Sequence, residues 1–168
     1  MHDAAVGILF PEAEKKTVVF RDSITREKRD SVYNIGMLKF KEITDKYGSL
    51  VPIEENGEIP FEIKRIYYIF NVPSHTRRGF HSHKALHQAL ICVKGSVRIL
   101  VKTPNEEQIV ELNNASEGLY IGPMIWREMY DFSEDAVLLV LASEHYDEND
   151  YVRNYDMYLD AAKDYFEQ

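Results

Sequence analysis

Three of the six histidines of the chain, His81, His83 and His87, lie within seven residues of one another. Imidazole has an unperturbed pKa of about 6.5, so it can accept and release protons near neutrality or, when neutral, bind a metal ion. In a β-strand the side chains of residues i and i+2 point to the same face, so His81 and His83 are expected to lie side by side. The pair predicts either a metal site or a site of acid–base catalysis. His87, whose spacing to the pair follows no clear rule, is predicted to be structural.

The residues around the pair decide between these two kinds of site. An H-x-H pair followed by an acidic residue and a glycine is the first motif of the cupin barrels, where a histidine from a later strand completes a metal site. In this chain Gln88 stands at the acidic position, Gly95 keeps its place, and Arg127 replaces the last histidine. Arginine carries a permanent positive charge and has no lone pair to donate. The sequence therefore predicts a pocket that binds no metal and attracts an anion.

Histidine pairs on strands are often exposed or structural residues, and the pair alone would favour that interpretation. The cupin-like spacing favours a functional site instead, as do four arginines in the surrounding segments: Arg65, Arg77, Arg78 and Arg127. The net charge of −8 and the pI near 5.3 disfavour binding to nucleic acid or to an anionic membrane. An anionic ligand must therefore be held by local arginines.

The elements that would position these residues are predicted to be strands. From Met37 onward, short apolar stretches rich in Val, Ile, Tyr and Phe alternate with turn sequences such as LNNASEG. This pattern, which lacks helical periodicity, predicts an antiparallel sandwich or barrel. Within it, the segment ICVKGSVRILV predicts a hairpin that turns at Lys94 and Gly95.

The C-terminal segment has a different pattern. Aromatic and aliphatic residues recur there at nearly helical spacing: Tyr151, Tyr155, Tyr158, Leu159 and Tyr165. The segment predicts one helix that packs on the β-domain, with Asp147 or Asp150 as its N-cap. The aromatic face of this helix is expected to belong to the core rather than to a ligand site.

Length and composition limit the class of protein. A chain of 168 residues, 45% of them hydrophobic, fits one domain with a substantial core. Cys92 is the only cysteine, which excludes an internal disulfide and suits a reducing compartment. No apolar run approaches the length of a membrane span, and the N-terminus is unlike a signal peptide. These features predict a soluble cytoplasmic protein without nucleic-acid or membrane partners.

Five segments together resemble the dTDP-4-oxo-6-deoxyglucose 3,4-ketoisomerases of the WxcM-like cupin group. They are KFKEITDKYGSLVPIEE, IKRIYYIF, RRGFHSHKALHQ, GLYIGPMIWREMYDFS and VLASEHYDENDYVRNYD, and they extend from about Met37 to Tyr158. The resemblance implies an all-β cupin or jelly-roll antiparallel barrel over residues 37–168, with a short C-terminal helix. It also implies a homodimer with exchanged N-terminal strands. Residues 1–36 form an extension that such proteins usually lack, and its role is open.

The resemblance further implies an activity. Such enzymes use no metal and no cofactor, and they move the carbonyl of a thymidine-diphosphate sugar from C4 to C3. The product is then aminated for surface polysaccharides such as O-antigen or S-layer glycans. The catalytic histidine pair of the family corresponds to His81 and His83, and its active-site tyrosine to Tyr67.

The same resemblance bears on the product. The sequence pattern of the galacto-product branch resembles R-G-S-L and W-H-E-M. This chain has Tyr47 in place of the arginine of the first motif and Arg127 in place of the histidine of the second. These residues resemble the gluco-product branch, which forms dTDP-3-oxo-6-deoxyglucose. A 3,4-keto shift needs proton transfer and stabilisation of an enediolate oxygen, so His81 or His83 is expected to act as the base and Tyr67 as a hydrogen-bond donor. The residues predicted to bind the substrate, with arginines for its diphosphate, are Arg65, Arg78, Gln88, Arg98, Arg127 and Tyr47.

Other functions are open at this point. A 3,5-epimerase of dTDP-4-keto sugars would share the substrate, but the clustered H-x-H and the downstream W-R-E-M argue against it, and deuterium incorporation at C5 would reveal it. A non-catalytic sugar-binding cupin would use the histidines as hydrogen-bonding groups and leave dTDP-4-oxo-6-deoxyglucose unchanged. A metal-dependent cupin oxygenase is disfavoured by Gln88 and Arg127.

Overall fold

A computed structural model describes residues 34–55 and 57–167, together with the backbone of two short N-terminal strands. The strands in chain order are β1 (Ile8–Leu9), β2 (Val19–Phe20), β3 (Ile35–Lys39), β4 (Ile43–Asp45), β5 (Gly48–Leu50), β6 (Arg65–Phe70), β7 (Arg78–His83), β8 (Gln88–Lys94), β9 (Val97–Lys102), β10 (Glu107–Leu112), β11 (Glu117–Ile121), β12 (Trp126–Tyr130), β13 (Val137–Ala142) and β14 (Tyr151–Val152). A 3₁₀ helix (Glu148–Asp150) precedes β14, and the helix α1 (Tyr155–Glu167) follows it. The predicted extension, residues 1–36, lies almost entirely outside the described residues.

Two five-stranded antiparallel sheets form the body of the protein. Sheet 1 has the strand order β10-β9-β12-β7-β14, and sheet 2 has the order β3-β11-β8-β13-β6. Two-stranded ladders β1-β2 and β4-β5 stand apart from these sheets. The prediction of an all-β jelly roll with a short C-terminal helix is confirmed, although the described strands form two packed sheets rather than one closed barrel. Among the described residues no helix has the length and apolar character needed to cross a membrane.

Alternation along the strands gives each sheet an apolar inner face. On β9, Val97, Ile99 and Val101 are fully buried, whereas Arg98 between them is exposed. Leu119 and Leu138 from sheet 2 belong to the same core cluster. This core fills the space between the sheets and supports the polar residues that share the inner faces.

The outer faces are covered in two different ways. Ile59 and Phe61, in the loop before β6, pack against Ile91 on sheet 2. On sheet 1, α1 packs against Trp126 through Tyr158, whose hydroxyl donates a hydrogen bond to the Lys102 carbonyl at 2.7 Å. The aromatic face of α1 is thus partly core, as the helical pattern predicts.

The predicted hairpin at Lys94 and Gly95 is wrong. Gly95 turns the chain with φ of +71°, but β8 before it belongs to sheet 2 and β9 after it belongs to sheet 1. The turn therefore carries the chain across the sandwich, and β8 pairs with β11 and β13. Turn residues specify that the chain reverses, whereas the pairing partner depends on strands that are distant in sequence.

The predicted N-cap of the C-terminal helix is also wrong. Helix α1 begins at Tyr155, and the side chain of Asn154 accepts a hydrogen bond from the Met157 amide at 3.0 Å. Asp147 caps the 3₁₀ helix instead, and Asp150 is the last residue of that short helix. The short strand β14 therefore separates both aspartates from α1, whereas the spacing of the aromatic residues alone predicts one continuous helix.

Candidate active site

His81 and His83 lie on β7, on the inner face of sheet 1. The ladder places His81 opposite Arg127 on β12 and His83 opposite Tyr151 on β14. Directly opposed residues of an antiparallel pair project to the same side of the sheet, so the four side chains lie together. The two imidazole rings are nearly perpendicular, at 86°, and their centroids are 4.9 Å apart.

Sheet 2 contributes Tyr67 and Gln88 to the same space. Tyr67 lies opposite Val140, a residue of the core between the sheets, and its hydroxyl accepts a hydrogen bond from Gln88 Nε2 at 2.8 Å. The guanidinium of Arg65 lies over the Tyr67 ring, 5.3 Å from its centroid. Burial raises the pKa of the Tyr67 phenol, and the charge of Arg127 opposes that shift. The phenol is therefore protonated near neutrality and can donate a hydrogen bond.

Arg127 is buried, with only 2% of its surface exposed. All three nitrogens of its guanidinium lack a hydrogen-bond partner within the described part of the chain. Burial lowers the pKa of Arg127 to about 10, so the group still carries its charge at neutral pH. A buried charge without partners is costly and is rarely retained unless a ligand or a reaction uses it. The guanidinium therefore indicates that an anion or a developing oxyanion binds between the sheets.

Both histidines are neutral in this environment. Burial lowers the pKa of His81 to about 3, and the charge of Arg127 contributes to the shift. Burial and Arg127 also lower the pKa of His83. Nδ1 of His81 lies 2.9 Å from the Gly79 carbonyl oxygen, which can only accept a hydrogen bond. The proton of His81 is therefore on Nδ1, and its Nε2 carries a lone pair.

A β-bulge places His81. On β12, Arg127 and Glu128 are consecutive and pair with His81 and Gly79 of β7. Phe80, which lies between these two residues of β7, has no partner and is the extra residue of the bulge. Gly79 and Phe80 have φ of +95° and +55°, and a Cβ on Gly79 would lie 2.6 Å from the Arg127 carbonyl oxygen. Bulges and left-handed residues of this kind occur often beside functional sites, where they redirect a side chain.

The low pKa values of the histidine pair predict that the protein loses stability in acid. An unfolded histidine takes up a proton as the pH falls below about 6.5, whereas folded His81, with a pKa of about 3, stays neutral. Between these pH values the unfolded state binds more protons than the folded state. As the pH falls, the free energy of unfolding therefore decreases by up to about 1.4 kcal/mol per pH unit for each shifted histidine. Urea unfolding between about pH 7 and pH 5 measures this slope.

Two variants separate this effect from general acid sensitivity. His81→Asn removes one shifted group, so we expect its slope to be shallower than that of the wild type by up to about 1.4 kcal/mol per pH unit. His75→Asn is the matched control, because His75 is exposed and has φ of +66°, a conformation that Asn tolerates. Equal slopes for the wild type and His81→Asn would contradict the prediction.

Three predicted binding residues lie outside this cluster. Arg98 is on the outer face of sheet 1 and forms ion pairs with Glu111 at 3.4 Å and Asp131 at 3.3 Å. Tyr47 lies in the turn between β4 and β5 and is 84% exposed. Arg78 is exposed and pairs in register with Met129, beyond the bulge. The structure thus brings together His81, His83, Tyr67, Gln88, Arg127 and Arg65.

Asp150, Tyr151 and Arg153 also lie around the histidine pair, although their sequence pattern does not predict this; Asp150 Oδ2 is 2.8 Å from Nδ1 of His83. The ring of Tyr151 lies 4.3 Å from that of His83 and 4.9 Å from that of His81, between centroids. The Arg153 guanidinium lies 4.3 Å from the Tyr151 centroid. The sequence pattern predicts that Tyr151 lies on the C-terminal helix, and only its pairing with β7 reveals its place beside the histidines.

The donor chemistry of this cluster does not suit a divalent metal. Within residues 34–55 and 57–167, no three His, Cys, Asp or Glu side chains converge on a metal-sized site. Gln88 uses its amide N–H on Tyr67, and Arg127 places a positive charge beside both imidazoles. A divalent cation there would be repelled by the guanidinium.

The fold and the site together define a jelly-roll protein with an interior suited to acid–base chemistry. Two neutral imidazoles, a phenol and a guanidinium that has no hydrogen-bond partner among the described residues face one another there, as in a site for a carbonyl-bearing or anionic ligand. A family model described as "FdtA: WxcM-like, C-terminal" matches residues 33–163. The chain belongs to this WxcM-like family.

Relatives at high identity extend this comparison. The chain is 52% identical over 120 residues to a TDP-4-oxo-6-deoxy-alpha-D-glucose-3,4-oxoisomerase of Aneurinibacillus thermoaerophilus, covering 71% of this chain and 86% of that protein. The crystal structure of QdtA, a sugar 3,4-ketoisomerase of Thermoanaerobacterium thermosaccharolyticum in complex with TDP, is 62% identical, with a TM-score of 0.80, and covers 81% of this chain and 99% of that one. WlaRB, a TDP-quinovose 3,4-ketoisomerase of Campylobacter jejuni, is 47% identical, with a TM-score of 0.73, and covers 76% of this chain and 98% of that one.

Proposed function

We propose that the protein is a sugar-nucleotide 3,4-ketoisomerase that converts dTDP-4-oxo-6-deoxy-D-glucose to dTDP-3-oxo-6-deoxy-D-glucose. The observation that supports this best is the neutral pair His81 and His83 beside the buried Arg127, whose guanidinium has no hydrogen-bond partner in the described part of the chain. Relatives named as 3,4-oxoisomerases and 3,4-ketoisomerases support the same reaction. The direct test is to incubate dTDP-4-oxo-6-deoxyglucose with the purified protein in heavy water and to follow the sugar by NMR. A 3-oxo product is expected. An unchanged sugar would indicate a binding protein, and deuterium at C5 would indicate an epimerase.

The reaction moves two protons and no net electrons. A lone pair on His81 or His83 removes the C3 proton, and the electrons of that C–H bond form a C3=C4 double bond while the C4 carbonyl oxygen becomes an oxyanion. The C3 hydroxyl then loses its proton as C3 becomes the carbonyl carbon, the C4 oxyanion takes up a proton to become a hydroxyl, and a second proton is delivered to C4. Neutral imidazoles can accept the proton, and the Arg127 guanidinium can stabilise the oxyanion.

Tyr67 and the arginines complete the proposed substrate site. The Tyr67 hydroxyl accepts from Gln88, so its own O–H can point at a sugar oxygen. Arg65 lies beside Tyr67 and has a buried Nε without a partner in the described chain, which supports a role in diphosphate binding. The exposed Arg78 is a second candidate, whereas Arg98 is held by two carboxylates on the outer face.

The gluco configuration of the product is proposed from Tyr47 and Arg127. Arg127 stays charged to about pH 10, so it is a poor proton donor and the proton at C4 must come from another group. A histidine at this position could deliver a proton to the face of C4 opposite to the face that is protonated in the gluco product. The double variant Tyr47→Arg/Arg127→His is therefore expected to yield the galacto product, which NMR coupling constants identify. An unchanged gluco product would contradict the assignment.

We also propose a cytoplasmic homodimer with exchanged N-terminal strands, which lie partly outside the described residues. Its support is the hairpin β4-β5, which exposes Ile43, Tyr47 and Leu50 and stands apart from both sheets. An isolated two-stranded hairpin is marginally stable in water, so a second copy of the chain would stabilise it. In such a dimer Tyr47 could line the site of the partner. Light scattering of the purified protein gives the mass, and a monomer would contradict the proposal.

The product is proposed to supply deoxy-amino-sugar synthesis for surface glycans. A 3-oxo sugar carries the carbonyl group that an amino-group transfer requires.

A further inference from the structure

We infer that Asp150 is a positioning residue for the proposed isomerase reaction. It holds His83 with its proton on Nδ1, so that Nε2 keeps its lone pair. The inference rests on the proposed function for its effect on rate, but its structural content can be measured without any substrate. Asp150 and His83 are 67 residues apart in sequence, and the 3₁₀ helix before β14 brings them together.

The Asp150 carboxylate is fixed on both of its oxygens. Oδ2 lies 2.8 Å from Nδ1 of His83, and Oδ1 accepts a hydrogen bond from the Ala85 amide at 2.8 Å. The Asp150 carbonyl also accepts from the Lys84 amide at 2.9 Å. Three bonds to consecutive residues at the end of β7 therefore lock the aspartate against the strand that carries the histidine pair.

The arrangement selects one tautomer of His83. A carboxylate only accepts hydrogen bonds, so the bond at 2.8 Å requires the proton on Nδ1 of His83. The neutral ring then has its lone pair on Nε2. The ring of Tyr151 packs against His83 from the next strand, with centroids 4.3 Å apart, and limits rotation of the imidazole.

Asp150 also compensates the charge that forms when His83 accepts a proton. An imidazolium at this position would face the positive charges of Arg127, Arg65 and Arg153, all of which oppose protonation of His83. Asp150 is the anionic group in direct contact with the ring in the described chain. The aspartate thus orients the imidazole and offsets the repulsion from the nearby guanidinium groups.

The Gly79 carbonyl and the Asp150 carboxylate determine which groups of the site accept protons and which donate them. The Gly79 carbonyl fixes the proton of His81 on Nδ1 in the same way that Asp150 fixes that of His83. Both imidazoles therefore offer lone pairs in the resting state. The hydrogen-bond donors for the sugar oxygens are Arg127 and Tyr67. A base on one face of the sugar takes the C3 proton through Nε2. The C4 hydrogen of the gluco product lies on the opposite face, so C4 receives its proton from a different donor and the protonated imidazole releases its own to solvent.

The variant Asp150→Asn tests the inference. The Ala85 amide still requires an acceptor, so the amide oxygen of Asn is expected to face Ala85 and its NH₂ to face His83. That NH₂ would donate to Nδ1 and move the ring proton to Nε2. We expect ¹⁵N NMR of the histidine side chains to show this switch, and kcat to fall by about 10²- to 10⁴-fold, the order known for a mis-oriented catalytic histidine. The KM and the binding of TDP should change little.

The matched control is Asp147→Asn. Asp147 caps the same 3₁₀ helix by accepting from the Asn149 amide at 2.9 Å, and its side chain is exposed to solvent. Its replacement should leave the tautomer of His83 and kcat near the wild-type values. An Nε2–H tautomer of His83 in the wild type, an unchanged tautomer in Asp150→Asn, or an equal loss of kcat in Asp147→Asn would each overturn the inference. A wild-type protein without isomerase activity but with the Nδ1–H tautomer would contradict the proposed function and leave the positioning of His83 established.

Discussion

His81→Asn and His83→Asn will each lower kcat by about 10²- to 10⁴-fold, the usual contribution of a positioned general base. Asn retains a polar planar group of similar size and can still accept or donate a hydrogen bond, but it cannot take up a proton near neutral pH. NMR of dTDP-4-oxo-6-deoxyglucose in heavy water measures both the appearance of product and the exchange of the C3 proton. Loss of both signals is expected for the variant that lacks the base.

The control for this pair is again His75→Asn, an exposed histidine at a backbone conformation that Asn accepts. Circular dichroism and TDP binding establish that each variant is folded and still binds the nucleotide. If His81→Asn and His83→Asn both retained full C3 exchange, the assignment of catalysis to the pair would be wrong. If one variant retained exchange but formed no product, its histidine would be the group that acts after enediol formation.

Arg127→Met should reduce kcat by about 10²- to 10³-fold, as expected for removal of one strong donor to an oxyanion. Met has a comparable length and is apolar, so the core can accept it. The same change removes a buried charge that has no hydrogen-bond partner in the described chain, so the free energy of unfolding should stay equal or rise. The pKa of His81 should rise, because the charge of Arg127 is one cause of its low value.

Lower activity together with equal or higher stability distinguishes a ligand-binding Arg127 from a structural one. Urea unfolding, steady-state kinetics and NMR titration of the histidines measure its three parts. Arg98→Met serves as the control, because Arg98 is exposed on the outer face and should change none of the three. A marked loss of stability in Arg127→Met would show that Arg127 has a structural partner and would remove the argument for a ligand-binding guanidinium.

The position of the histidine pair could be predicted from local sequence alone. The i, i+2 spacing of His81 and His83 predicts a shared face because the backbone of a strand alternates with a period of two. The structure places both rings on the inner face of sheet 1, with centroids 4.9 Å apart. The replacement of metal ligands by Gln88 and Arg127 could also be interpreted without coordinates, since arginine has no lone pair to offer a cation.

Other placements depended on information that no short segment contains. Arg98 and Arg127 are both arginines on neighbouring strands, yet the register places Arg127 between the sheets and Arg98 on the outer face. Tyr151 and Asp150 reach the histidines only because β14 pairs with the end of β7. Likewise, the turn at Gly95 joins two sheets rather than two paired strands.

By itself, the sequence determined the β-class of the fold and the paired imidazoles on one strand face. Each of these follows from residue chemistry or from a repeat of a few residues along the backbone. Only the tertiary structure decided which arginine is buried, which carboxylate orients His83 and which tyrosine lies beside the pair. These choices depend on strand register between segments tens of residues apart, and register is set by packing of the whole sandwich rather than by any local pattern.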